Sequence, residues 1–329
     1  MLLPADHPVA AVLRDRGASG SAPGERDDPH RVALVLEGGG MRGVVSAAMA
    51  AALERLDLTR CFDLVVGASA GALNGAALLG GVAGPCATAY ATAFATREFV
   101  NPARLLRGRP ALDVAFALRH ASHELDPERH QRTVESPIAL HCLAVDVETA
   151  EPVVFTGMRS VDELWDVLLA TSRMPWVGGD PVPIRGRRYL DGGLAAPIPV
   201  DTAIAVGATH VLVLQTRPYG VPRTTGVPLV DRVIERHLRR LNPALTALYR
   251  DRIDSYDRVV RAIGRRSEAP GDAPPYVLGL RPPAGTPVVG RLERRPAVLT
   301  RAATDAQRLV DAVLDGQAAG AASQPRIRR

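Results

Sequence analysis

The stretch FDLVVGASAG, residues 62–71, decides the fold. Leu64, Val65 and Val66 suit a buried strand, and the run then breaks into small residues around a single serine. An ordinary turn draws on Asn, Asp or Pro. Here Gly67, Ala68, Ala70 and Gly71 leave Ser69 as the one polar side chain. ALNGAALLGG follows with helical character, so a G-x-S-x-G turn lies between strand and helix. In that context the turn is sharp enough to lift a serine oxygen out of a sheet for nucleophilic attack. The positive end of the following helix favours an anion developing there.

A second small-residue loop, EGGGMRG at 37–43, follows the apolar run RVALVLE and precedes a helix expected over 44–56. Its Gly38, Gly40 and Gly43 also fit a dinucleotide fingerprint. That reading requires an acidic residue at the end of the second strand. Asp63 precedes that strand, and its end is the serine turn, so the nucleotide reading fails. Consecutive glycines can instead aim backbone N–H groups at one oxyanion. Arg42 either braces this loop or attracts an anionic head group.

Asp191-Gly192-Gly193 stands at the end of a strand and before a proline-rich loop. Strand ends are where the sites of α/β sheets collect, and a serine nucleophile needs a base. His141 falls in an expected buried strand and His210 at a strand entrance, and both read as structural. A Ser–Asp pair is then the economical arrangement.

Around these motifs, strand and helix alternate: strands at 31–37, 62–66, 138–147 and 209–216, and helices at 44–56, 72–81 and 161–174. This predicts an α/β layered fold with a largely parallel sheet. Residues 1–30 read as a disordered leader, 31–220 as the catalytic domain, and 316–329 as a disordered tail. Residues 221–315 read as a helical or mixed extension packed on the core, and the charged stretch 97–135 as a lid or covering layer. The uncharged interval between Asp63 and Arg97 is long enough for a bilayer span. It is too poor in Leu, Ile and Val for one.

The net charge of +5 is uneven: residues 221–329 hold 20 Arg against 11 Asp and Glu, leaving −4 for the rest. All basic residues are Arg, and with the abundant Ala this points to a compositional bias rather than to nucleic acid. Aromatics at 4% do not suit a base-stacking platform. A basic C-terminal third suits peripheral contact with an anionic membrane, such as its inner face. The segment at 228–241 fits either a core-packed helix or such a surface. Cys61, Cys86 and Cys142 read as reduced thiols of a cytoplasmic protein. The first residues lack a secretory pattern. No sequence feature specifies an oligomeric state.

Together, Gly38-Gly39-Gly40-Met41-Arg42-Gly43, Gly67-Ala68-Ser69-Ala70-Gly71 and Asp191-Gly192-Gly193 resemble the motifs of the patatin-like phospholipase family. The resemblance spans about residues 31–215. It implies a three-layer α/β/α fold with a helical C-terminal extension, and a serine lipid acyl hydrolase that needs no metal or cofactor. By the same resemblance Ser69 is the nucleophile and Asp191 the base. Gly38, Gly39, Gly40 and Ala70 then supply the oxyanion hole, with Arg42, Gly43, Gly67, Gly71, Gly192 and Gly193 as support. An acyltransferase using the same pair, and a non-catalytic lipid-binding protein on the same fold, are the alternatives.

Overall fold

The computed structural model describes residues 7–120, 126, 128–221 and 228–314. Its sheet is parallel at the centre, where β1 (Val32–Leu36) lies between β2 (Leu64–Ala68) and β7 (His210–Leu214). The parallel part continues to β3 (Ala139–Asp146) on one side and β8 (Tyr276–Leu280) on the other. Beyond β3 the direction reverses: β4 (Pro152–Phe155) and β6 (Arg187–Asp191) both pair antiparallel with it. β5 (Val182–Ile184) forms the edge against β6.

Strand side chains alternate between two faces, and each face has its own core. Leu34, Leu36 and Val65 face α2 (Val44–Arg55), α3 (Ala70–Leu79), α4 (Ala83–Ala91) and α11 (Pro296–Leu314). Ala33, Val35, Leu64 and Val66 face α8 (Val200–Ala205) and α10 (Pro243–Glu268). The result is the expected three-layer α/β/α arrangement with a mostly parallel sheet. Burial on both faces explains why these strands read as continuous apolar runs.

The first 30 residues depart from the sequence reading. Residues 1–6 lie outside the described residues, but α1 (Pro8–Ser19) is a packed helix that contributes Val9 and Leu13 to the larger core. Arg16 within it is 2% exposed and bridges Asp28 and Asp63, each at 2.8 Å. The polar composition of this segment is used for buried ion pairs, which a composition argument takes for disorder. The expected tail at 316–329 also lies outside the described residues.

The uncharged interval after Asp63 forms β2, α3 and α4. Among the described residues no helix is long and apolar enough to cross a membrane. α7 (Val161–Thr171) ends three residues earlier than its apolar pattern suggested. The stretch 97–135 contains a short 3-10 turn, α5 (Val114–His120) and α6 (Arg129–Glu135), and it lines a cavity described below. α9 (Pro228–Leu241) buries only Ile234 and Leu238, while Leu229 is 70% exposed.

Candidate active site

Strand register brings the motifs together. β1 pairs Leu36 with Gly67, β2 pairs Ala68 with Leu143, and β3 pairs Ala144 with Asp191. Continuing the register two residues past Leu36–Gly67 and one past Ala68–Leu143 puts Gly38, Ser69 and Ala144 in one row with Asp191. Neighbouring strands lie about 4.8 Å apart, so a single strand separates the serine from the aspartate. Because β6 is antiparallel, its chain re-enters the sheet from beyond β3 and ends at that row.

Ser69 has φ 57° and ψ −134°, in a backbone region that costs a residue with a Cβ about 1–3 kcal/mol. The surroundings hold it there. Its N–H is 3.1 Å from both the carbonyl and the hydroxyl oxygen of Thr171, and its carbonyl accepts from Ala72 N–H at 2.9 Å. The Thr171 hydroxyl in turn donates to the Leu143 carbonyl. A Cβ on Gly71 would stand 2.2 Å from the Leu36 carbonyl oxygen, and one on Gly67 would stand 2.5 Å from Ala72 N. These two glycines therefore shape the turn by letting other backbone approach. Gly43 and Gly192 are packing positions too, against Ala70 and Leu143 respectively.

The glycine loop sits directly on this turn, with the Cβ position of Gly38 only 2.4 Å from the Ala68 carbonyl oxygen. Gly39 adopts φ 136°, which L side chains rarely take. No acceptor among the described residues takes the N–H of Gly38 or Gly39. Ala70, first in α3, has no intrahelical acceptor for its N–H either. The loop is anchored from outside the motif: Met41 N–H donates to the Arg291 carbonyl at 3.0 Å, and Arg42 Nε donates to Thr216 Oγ1 at 3.1 Å. Burial pushes Arg42 down to about 10, against the pull of Glu37. Arg42 is thus a brace beneath the loop.

Asp191 is 4% exposed. Its Oδ1 accepts from Gly193 N–H at 2.7 Å, and its own N–H donates to the Arg173 carbonyl. Burial raises its pKa to about 6, and hydrogen bonds from the Ser69 side chain and Gly193 with the charge of Arg291 oppose the rise. The carboxyl group is therefore held close to its ionisation point near neutral pH.

Two spaces meet at Ser69. One is a cleft whose polar lining includes Asp191, Tyr249, Arg252 and Arg291. The other is a cavity lined mainly by apolar side chains from α3, α4 and the 97–135 stretch. Gly38, Gly39, Arg42 and Gly193 face the first, and Gly40 and Ala70 the second. No histidine among the described residues lines either. His141 is buried in β3 with neither ring nitrogen bonded, and His210 is pushed down to about 4 by burial. Among the described residues no cluster of His, Cys, Asp and Glu could hold a metal ion.

Sequence reasoning missed Thr171, Arg252 and Arg291. Thr171 is 102 residues from its partner, and the two arginines come from the C-terminal third, where Arg is too common to stand out.

A family profile described as patatin-like phospholipase matches residues 34–204. A curated relative, the uncharacterized protein YjjU of Escherichia coli (strain K12), is 31% identical over 193 residues, 58% of this chain. The chain spans about half (53%) of that relative's length. Among solved structures, VipD from Legionella pneumophila aligns over 88% of this chain and 67% of its own, at 10% identity and a TM-score of 0.39. Human GIVD cytosolic phospholipase A2 aligns over 68% and 49%, at 15% identity and 0.34. With the profile covering just over half of its residues, the chain belongs to the patatin-like phospholipase family.

Proposed function

We propose that the protein is a serine lipid acyl hydrolase working through a Ser69–Asp191 pair and an acyl-enzyme intermediate. One observation supports the reading: the row across the sheet that holds Gly38, Ser69 and, one strand further on, Asp191. Ser69 Oγ attacks the ester carbonyl carbon as Asp191 takes its proton. The oxyanion that forms is held by the N–H groups of Gly38 to Gly40 and Ala70, a contribution of roughly 3 kcal/mol per donor in comparable sites. The intermediate collapses, the C–O bond to the leaving group breaks, and that alkoxide takes the proton from Asp191. Water then attacks the acyl-serine, again giving a proton to Asp191, and the acid leaves as the serine oxygen is reprotonated.

The two spaces suit the two ends of a lipid ester. The apolar cavity takes the acyl chain, and the cleft with Arg252 and Arg291 takes a head group carrying negative charge. Access from a membrane surface fits α9, which lends Ile234 to the cleft and exposes Leu229, Val230 and Val233 beside Arg232 and Arg236.

The test is turnover of p-nitrophenyl acyl esters and labelling by a fluorophosphonate probe, with wild type beside Ser69→Ala and Asp191→Asn. Both signals should vanish in Ser69→Ala. Undiminished labelling of that variant would move the nucleophile elsewhere.

A further inference from the structure

The apolar cavity beside Ser69 contains a charge that ester hydrolysis does not use. Leu73, Phe94, Phe99, Leu112 and Leu118 give its character, yet Arg129 lines it too and is 3% exposed. Guanidinium stays protonated in proteins. Its Nε and Nη2 donate only to the neighbouring His130 Nε2, at 3.2 and 2.8 Å. That imidazole carries no compensating charge, because burial and the Arg129 cation push it down to about 3.

No carboxylate among the described residues forms an ion pair with Arg129. Asp126 bonds Arg132 at 2.7 Å. The carbonyl of Gly80, at the end of α3, already accepts twice from Arg132, at 2.9 and 2.6 Å. Cys86 and Tyr90, which also line the cavity, are held neutral by burial. A buried charge without a partner is costly enough that proteins rarely keep one. An anion held in the cavity would supply what no described residue does.

Position says which part of a substrate that is. Ser69 caps the start of α3, whereas the Arg129 carbonyl lies 2.8 Å from the Cβ position of Gly80 just beyond its end. Thr133 Oγ1 ties the two helices, donating to Ala76 and Arg129 carbonyls at 2.9 Å each. The ten residues of α3 span about 15 Å. Ser69 and Arg129 line the same cavity, so an acyl group attached at Ser69 and filling it meets the arginine.

We propose that Arg129 is a distal anion subsite and that the preferred acyl donor ends in a carboxylate, as in a monoester of an α,ω-dicarboxylic acid. The proposal rests on the hydrolase reading for the identity of Ser69 as the acylated residue. Carboxylate suits the site because guanidinium binds it through charge-assisted hydrogen bonds. Arg129 Nη1 has no acceptor among the described residues, so a donor remains for it.

Two matched series of p-nitrophenyl esters, plain alkanoates and α,ω-dicarboxylic monoesters up to about 15 Å long, give the kinetic test. Wild type should favour the dicarboxylic series at one length by roughly tenfold or more in kcat/KM. Arg129→Met should reverse that preference and Arg129→Lys should keep part of it, the effect falling on KM. A preference for plain esters at every length, or a ratio unchanged in Arg129→Met, overturns the proposal.

Calorimetric titration of wild type and both variants with the free dicarboxylic and monocarboxylic acids separates this from the hydrolase reading. Tighter binding of the diacid by wild type and Arg129→Lys, lost in Arg129→Met, supports the subsite even if no ester is turned over. Equal binding of the two acids by wild type overturns it. Should Arg129→Met fail to fold, the wild-type preference and its partial retention in Arg129→Lys decide.

Discussion

The backbone N–H of Ser69 is 3.1 Å from two oxygens of a single residue, the carbonyl and the hydroxyl of Thr171. The same hydroxyl donates to Leu143 on β3. Two residues on, the Arg173 carbonyl accepts from Asp191 N–H at 3.0 Å. The end of α7 and the residues just after it thus touch the backbone of both members of the proposed pair.

Thr171→Val keeps the shape of the side chain and removes its hydroxyl. A buried acceptor then loses its donor, which costs about 1–3 kcal/mol. The strained serine turn should relax, lowering kcat for a p-nitrophenyl ester by roughly tenfold, while Thr171→Ser restores most of it. Chemical denaturation and kinetics well below the melting temperature distinguish the two effects. Full activity in Thr171→Val would mean that the turn holds its geometry without this bond.

The raised pKa of Asp191 gives a pH dependence with a definite sign. The folded value is about 6 and the ordinary value 3.8, raised chiefly by burial. Between those values the folded protein binds more protons than the unfolded chain. Stability from this group therefore falls as pH rises from about 4 to 6 and stays lower above, by about 3 kcal/mol. Asp191→Asn lacks that decline, so it should gain on wild type across the window in urea unfolding. In turnover, a base that must be ionised gives kcat/KM an acid limb near pH 6. Parallel stability curves for the two proteins would contradict the shift.

The motifs were legible because each is local. Gly67 to Gly71 and Gly38 to Gly43 each announce a sharp turn within a few residues, and strand and helix patterns flank them. Asp191 was legible only through its company, and its strand runs opposite to the parallel centre, which no local pattern reveals. Thr171 and Arg129 were invisible for the same reason: their roles depend on chain segments that meet only after the sheet forms. β8 was missed as a strand because YVLGL is a short apolar run in a segment dominated by Arg-rich helices. Residues 8–30 were misread since Pro, Gly and charge resemble a disordered leader until Arg16 is seen against Asp63.

Gly71→Ala should be among the most damaging of small substitutions. Position 71 lies in a helix, where alanine is intrinsically favoured over glycine. Its Cβ would nevertheless stand 2.2 Å from the Leu36 carbonyl oxygen and 2.9 Å from that carbonyl carbon, and backbone cannot swing aside. The strand β1 and the serine turn must separate, with a loss of roughly 3 kcal/mol or more. Gly81→Ala, at φ 71° with no protein atom closer than 4.0 Å, loses only the cost of its backbone conformation, about 1 kcal/mol. Thermal melting of the pair tests this, and equal losses would show that crowding at Gly71 is relieved elsewhere.

Arg16 is where the N-terminal segment joins the sheet, and its replacement gives the last prediction. Nε and Nη2 grip Asp28 at 2.9 and 2.8 Å, and Nη1 reaches Asp63 at 2.8 Å. The carbonyls of Cys61 and His30 take further donors at 2.8 Å each. Asp63 accepts from Val32 N–H at 2.8 Å, so the contact extends to the first residue of β1. Arg16→Met strands Asp28, while Asp63 keeps Arg26 at 2.8 Å. Breaking such a buried pair costs about 3–5 kcal/mol, and the partial cover left on Asp63 argues for the lower figure. The Arg16 hydrogen bond also holds Asp28 down to about 2, so its contribution is present above about pH 4 and disappears as pH falls toward 2. In urea unfolding, wild type and Arg16→Met should therefore converge in acid and diverge toward neutrality. A constant gap across that range would mean that the loss comes from packing of the arginine stem, and no gap would mean that α1 is dispensable to the fold.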